Sequence, residues 1–101
     1  MYYIYILQSV STGNFYIGYS EDPFRRLNEH NTSPHSTYTS KHRPWVLAAV
    51  FQCSKVESEC IKIERYIKRQ KSRRLLEKLI DPSLMPDGSL AQLVRVPHVR
   101  D

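Results

Sequence analysis

The chain opens with a run dense in aromatic and β-branched residues, Tyr2 to Gln8, a composition that favours a strand. Ser9 to Asn14 carries turn chemistry and Phe15 to Tyr19 returns as a second strand, so an antiparallel hairpin is predicted. A period of two then sorts the side chains. Ile4, Ile6, Phe15 and Ile17 fall on the expected core face, and Tyr3, Tyr5, Leu7, Tyr16 and Gly18 on the other. Gly18, lacking a side chain, is expected to leave room there for a phosphate or a substrate backbone.

Asp22-Pro23 reads as a helix start, with Asp as the cap and Pro at the first helical position. On that helix Phe24 and Leu27 share the face expected to anchor it to the sheet. Arg26 and His30, four apart, share a different face and are expected to point into a cleft. Asn31 to Arg43 is polar and reads as a loop with one short helical turn, and Trp45 to Gln52 reads as a central buried strand. Glu57 to Leu79 has helical spacing, with Cys60, Ile63 and Ile67 as its apolar stripe and Glu64 at the stripe's edge. A break is expected near Gln70 to Ser72. The predicted class is α/β, a small three-stranded, mainly antiparallel sheet flanked by helices in the order ββαβα. Pro82, Pro86, Gly88 and Pro97 interrupt any periodicity, so residues 82–101 are expected to form a disordered or loosely packed tail behind a domain at 1–81.

At 101 residues the chain is one domain with one modest core. No apolar run approaches the roughly 20 residues of a membrane span, so no membrane partner is expected. Met1 to Leu7 lacks the cationic region and cleavage site of a secretory signal, which makes the cytoplasm the expected compartment. Cys53 and Cys60 are too few for a disulfide framework and lie in no metal-ligand spacing with His.

Charge changes the picture more. The formal net charge is +5, and eight basic residues stand between Lys62 and Lys78 against only Glu64 and Glu77. By itself such a helix is usually a solvated face, but it also suits an anionic partner such as DNA. Hydrolysis of a phosphodiester needs a positioned nucleophile, a cation on the developing phosphorane charge and help for the leaving oxygen. Arg26 offers a permanently charged donor fork for phosphate oxygens. Glu64 is a lone carboxylate in a basic helix, and one carboxylate with waters and substrate oxygens commonly holds Mg²⁺. Tyr16 or Tyr5 can take a proton from water, provided nearby cations lower a phenol pKa that starts near about 10.

Tyr3-Ile4-Tyr5, Tyr16-Ile17-Gly18 and an arginine eight residues after that glycine, Arg26, together resemble the GIY-YIG nuclease domain over roughly residues 1 to 80. The string Arg25-Arg26-Leu27-Asn28-Glu29-His30-Asn31 is similar to the small stand-alone, UvrC-like branch. The resemblance implies that Arg26 contacts the scissile phosphate, Glu64 binds a single divalent ion (Mg²⁺ or Mn²⁺), and Tyr16 is the general base. It implies a supporting hydroxyl at Tyr5, and a proton-transfer or phosphate-binding role at His30. Three departures stand out: Tyr3 replaces the first glycine, Tyr19 a lysine, and Leu76 an asparagine of the repair-type members.

These readings converge on a metal-dependent DNA endonuclease of weak sequence preference, selective if at all for DNA shape, in repair, recombination or processing. Gly18, Arg25, Lys41, Arg65, Lys68, Arg69, Arg73 and Arg74 are the candidate DNA contacts. The alternative is a nucleic-acid-binding module that does not cut, or that needs a protein partner to do so. A basic protein-interaction domain is a third reading.

Overall fold

Hairpin pairing fixes the centre of the molecule. In the computed structural model, which describes residues 1–97 and 99, β1 (Tyr2–Ser9) and β2 (Phe15–Ser20) pair antiparallel with Tyr5 opposite Gly18 and Leu7 opposite Tyr16. On its other edge β1 pairs with β3 (Trp45–Ser54), also antiparallel. A register shift between the Ile6–Ala49 and Leu7–Leu47 pairs skips Ala48, a bulge in β3. The sheet has four strands in the order β2-β1-β3-β4, one more than the pattern predicted.

Both faces of this sheet are covered. Ile4, Ile6, Ile17, Ala49 and Phe51 pack against Cys60, Ile63 and Ile67 of α2 (Glu57–Arg69) and Leu79 of α3 (Arg73–Ile80). The stripe predicted for α2 is thus its buried face, and the expected break falls at Lys71, whose φ of 47° ends one helix before Ser72 caps the next. On the opposite face Tyr5, Leu7, Trp45, Leu47 and Val50 form a second cluster, joined by Leu27 of α1 (Pro23–Thr32). Asp22 caps α1 by accepting from the Arg25 backbone N–H, with Pro23 inside the first turn, as the sequence indicated.

The seating of α1 differs from the expectation. Phe24 is 60% exposed and anchors nothing. The helix instead turns Pro23, Leu27 and His30 inward, positions spaced i, i+4 and i+7 along one face. His30 is only 6% exposed and belongs to the anchoring face rather than to an open one. Apolar periodicity missed this because one of the three inward residues is polar, and its burial is supported by hydrogen bonds made only in the fold.

The segment after Asp81 also departs from the expectation of loose packing. A one-turn helix at Gly88–Leu90 buries Leu90, Leu93 is buried in the same core, and β4 (Val94–Arg95) adds to the free edge of β3. The Arg95 guanidinium stacks over Phe51 at 4.7 Å and donates to the carbonyls of Leu79 and Asp81. A two-residue strand has no periodicity to read, and its register comes from the exposed edge it covers. Residues 98, 100 and 101 of the expected tail lie outside the described residues. Among the described residues no helix is long and apolar enough to cross a membrane.

Leu93→Ala is expected to lower unfolding stability by about 2 to 4 kcal/mol, the range for a buried leucine, in urea titration. A change below about 0.5 kcal/mol, typical of a surface position, would show that this segment is not part of the core.

Candidate active site

Tyr5 is the inner wall of the site. It projects from β1 on the same side as its cross-strand neighbours, and its ring lies across Gly18 of β2. A methyl group at position 18 would collide with the Tyr5 hydroxyl and come within 2.6 Å of its Cζ. The space left by the missing side chain of Gly18 is therefore filled by Tyr5 and is not open to a phosphate.

Laid over Gly18, the Tyr5 hydroxyl reaches His30 Nε2 at 3.1 Å, and His30 Nδ1 stands 3.1 Å from the Thr39 hydroxyl. Thr39 is held by the one-turn helix Thr39–His42, and its carbonyl accepts from the Trp45 indole at 2.7 Å. Arg43 ties this turn to the end of α1, donating to the carbonyls of His30 and Ser33, both left without helical partners. The Tyr16 ring packs on His30 with centroids 4.7 Å apart.

Burial pushes the Tyr5 phenol up to about 12, against a smaller downward pull from the Arg26 guanidinium nearby. Tyr5 thus holds its proton at neutral pH and fits a supporting hydroxyl, not a base. Burial also lowers the His30 pKa, and Arg26 and then Arg43 lower it further, with Glu29 opposing. His30 is a neutral imidazole with both nitrogens occupied. Its ring is held between two hydroxyls while one face still lines the cleft.

Arg26 sits at the rim, its guanidinium held by Glu29 Oε1 at 2.7 Å. That hydrogen bond is the main reason the Arg26 pKa rises and the Glu29 pKa falls. Tyr16, Arg26, Glu29 and His30 share a cleft of about 600 Å³ with residues of the 32–39 loop, Tyr38 among them. Glu64 does not line it. Its carboxylate, on α2, is 14% exposed and bound to the Lys68 ammonium at 2.8 Å, and Lys68 stands 5.6 Å over the Tyr16 ring. Tyr16 lines the small cleft on that side as well, with Lys68 and Tyr38. It is the hinge between the two halves of the site. Glu64 is still close enough for its charge to act on Tyr5.

Among the described residues no group of three or more His, Cys, Asp or Glu is arranged to hold a metal. A single partly buried carboxylate beside a cleft does suit Mg²⁺, which keeps several waters and takes substrate oxygens as ligands. The cationic candidates differ in availability. Arg65, Lys68, Arg69 and Arg74 are exposed on α2 and α3. Arg73 stacks on Phe15 at 4.7 Å and donates to the Gly13 carbonyl, so it also supports the hairpin turn. Arg25 pairs with Glu29, and Lys41 is exposed on the turn without lining the cleft.

Sequence reasoning missed Glu29, Thr39 and Arg43. The spacing of Arg26 and Glu29 pointed to their pair. Nothing in a polar loop singled out Thr39 or Arg43.

The family model of the GIY-YIG catalytic domain matches residues 1–78, a span that holds Tyr5, Tyr16, Arg26, His30 and Glu64. The chain belongs to the GIY-YIG family. Its curated relatives include UPF0213 proteins of Fusobacterium nucleatum and Haloquadratum walsbyi. The first is 32% identical over 73 residues, 69% of this chain and 72% of the relative. The second is 34% identical over 83 residues, 79% of this chain and 91% of the relative. GIY-YIG domains are endonuclease domains, so membership implies a nuclease-type function on DNA and places the chain in the small stand-alone group.

Two measurements check the site. Gly18→Ala is expected to cost about 1 to 3 kcal/mol through overpacking against Tyr5, and much less in a Tyr5→Leu background. Equal destabilisation in both backgrounds would remove the Tyr5 contact as the cause. Stability should also fall with pH through His30. The folded pKa is depressed, so below the ordinary value of about 6.5 the unfolded chain binds more protons. The contribution is complete above that value and is lost as pH drops toward the lower folded pKa. Unfolding midpoints of His30→Gln should show a shallower slope between about pH 7.5 and 5 than wild type.

Proposed function

We propose that this chain is a divalent-metal-dependent DNA endonuclease with weak sequence preference, selective if at all for DNA shape, acting in repair, recombination or processing. The observation that carries this reading is the arrangement around one open cleft: the Arg26 guanidinium, the Tyr16 phenol and the Tyr5–His30 pair, flanked by the basic face of α2. Arg26 donates to the non-bridging oxygens of the scissile phosphate and stabilises the charge that grows there, after exchanging Glu29 for substrate. Tyr16 takes the proton of the attacking water. Tyr5, kept protonated by burial, braces His30, which lines the cleft. Glu64 would hold the Mg²⁺ or Mn²⁺ ion, which supplies Lewis-acid polarisation of the phosphate and favours the departing oxygen. Lys68 must first release the Glu64 carboxylate, and a phosphate backbone offers it another anionic partner.

Exposed Arg65, Lys68, Arg69 and Arg74, with Arg73 and Arg25 at the margins, contact the DNA backbone without reading sequence. We assign the folded nuclease unit to residues 1–81 and treat the packed segment that follows as its support. A cytoplasmic site fits the free, buried thiols of Cys53 and Cys60. One observation favours the rival, a module that binds DNA without cutting or cuts only with a protein partner. Both reactive charges, on Arg26 and on Glu64, are held by ion pairs within the chain.

Cleavage of labelled duplex, single-stranded, flap and junction DNA with Mg²⁺, Mn²⁺ or EDTA separates the two. Wild type should cut only with metal, Arg26→Ala should lose about a hundredfold or more in rate, and Glu64→Gln should lose its metal-dependent activity. Salt-sensitive binding with no cutting in any condition would leave the rival standing. Charge removal at Arg65 and Arg69 together should weaken binding across all sequences and lower the salt slope by about one for each phosphate no longer neutralised.

A further inference from the structure

The Tyr5–His30 contact is ambiguous until something fixes where its protons are, because a neutral imidazole donates from one nitrogen and accepts at the other. The surroundings decide it. The Tyr5 hydroxyl belongs to a residue only 1% exposed, and among the described residues its hydrogen-bond partner is His30 Nε2 at 3.1 Å, so that nitrogen is where its buried proton can be satisfied. Nε2 must then accept, and Nδ1 carries the hydrogen and donates to Thr39 Oγ1 at 3.1 Å. The Thr39 proton is left free to go to Thr37 Oγ1, also 3.1 Å away. Every group along this path then has a consistent role, and the direction is one-way.

Thr39 is also built in. It is 6% exposed, its carbonyl accepts from the Trp45 indole, and Trp45 in turn is clasped by the Asn31 side chain through both its backbone N–H and its carbonyl. Arg43 holds the same turn to the His30 carbonyl at 2.7 Å. The hydroxyl is therefore presented to His30 from a fixed point, with little freedom to follow the ring elsewhere.

We propose that Thr39 is a positioning residue of the nuclease site: its hydroxyl holds His30 in the Nδ1–H tautomer, which keeps Nε2 as the acceptor of the Tyr5 hydroxyl. Without it, the buried Nδ1–H has no acceptor, and the favourable escape is the other tautomer, with Nε2–H donating to the Tyr5 oxygen. The Tyr5 proton then loses its acceptor and must turn away from His30, which breaks the tie between β1 and the helix that carries Arg26. The charged and titratable groups facing His30 are Tyr5 from β1, Tyr16 from β2, Arg26 and Glu29 from α1, and Arg43 beyond the turn; of these the Glu29 carboxylate is taken by Arg25 and Arg26, and the Tyr5 hydroxyl lies at Nε2. The catalytic consequence rests on the nuclease reading above, whereas the tautomer does not.

The test is long-range ¹H–¹⁵N NMR of the full chain at neutral pH, with the His30 signals assigned from His30→Gln. Wild type and Thr39→Ser should show protonated Nδ1 and unprotonated Nε2, and Thr39→Val, nearly isosteric, should invert them. In cleavage assays Thr39→Val should lower kcat about 10- to 100-fold with KM little changed, and Thr39→Ser should restore it. A wild-type ring protonated at Nε2, a measurement that needs no variant to fold, would overturn the proposal. So would an unchanged tautomer in folded Thr39→Val. Absence of cleavage by the wild type would fall on the nuclease reading alone, because the NMR result still decides the role of Thr39.

Discussion

The close approach of Tyr5 to Gly18 is the constraint on which the rest of the site depends. A tyrosine ring can lie flat across a neighbouring strand only where that strand carries no side chain, and the register of the hairpin puts Gly18 directly opposite Tyr5. This placement sends the hydroxyl toward α1 instead of into solvent. There it meets His30, and the resulting hydrogen bond joins the sheet to the helix that carries Arg26. The burial of His30 in turn needs Thr39, so the long loop after α1 is fixed by the same contact. One absent side chain thus sets the positions of four elements.

Around this buried polar network the charges are arranged in opposing pairs. Arg26 with Glu29 is exposed enough that the pair contributes little to stability, whereas the Glu64 carboxylate is mostly buried against the exposed Lys68 ammonium. Their role is better understood as poise. On the proposed reading, each holds a charge in place with a partner that an arriving phosphate or cation would have to displace. The buried groups behave oppositely: Tyr5 and His30 stay neutral because burial penalises their charged forms, which leaves the Arg26 cation as the dominant field in the cleft.

Much of this was legible in the amino-acid order. The hairpin, the Asp22 cap, the buried stripe of α2 and the break before Ser72 all follow from local chemistry, and local chemistry survives folding. Arg26, His30, Tyr5 and Tyr16 could be named because spacing on strands and helices carries them to one side. Phe24 and the last segment were misjudged for a common reason. Phe24 is apolar yet faces water, while Arg95 is charged yet stacks on Phe51 and caps carbonyls. Which apolar residues find a partner depends on surfaces contributed by distant parts of the chain.

The sequence alone determined which residues share a face, where helices begin and stop, and which side chains have the chemistry to meet a phosphate. These are consequences of backbone periods and side-chain types within a few residues. Only the tertiary structure decided that Gly18 houses Tyr5, that His30 is buried, that Thr39 and Arg43 brace it, and that Glu64 stays out of the cleft lining in the grip of Lys68. Each of those outcomes depends on how one element is rotated and seated against another. That seating is set by packing across both faces of the sheet, and no local period encodes it.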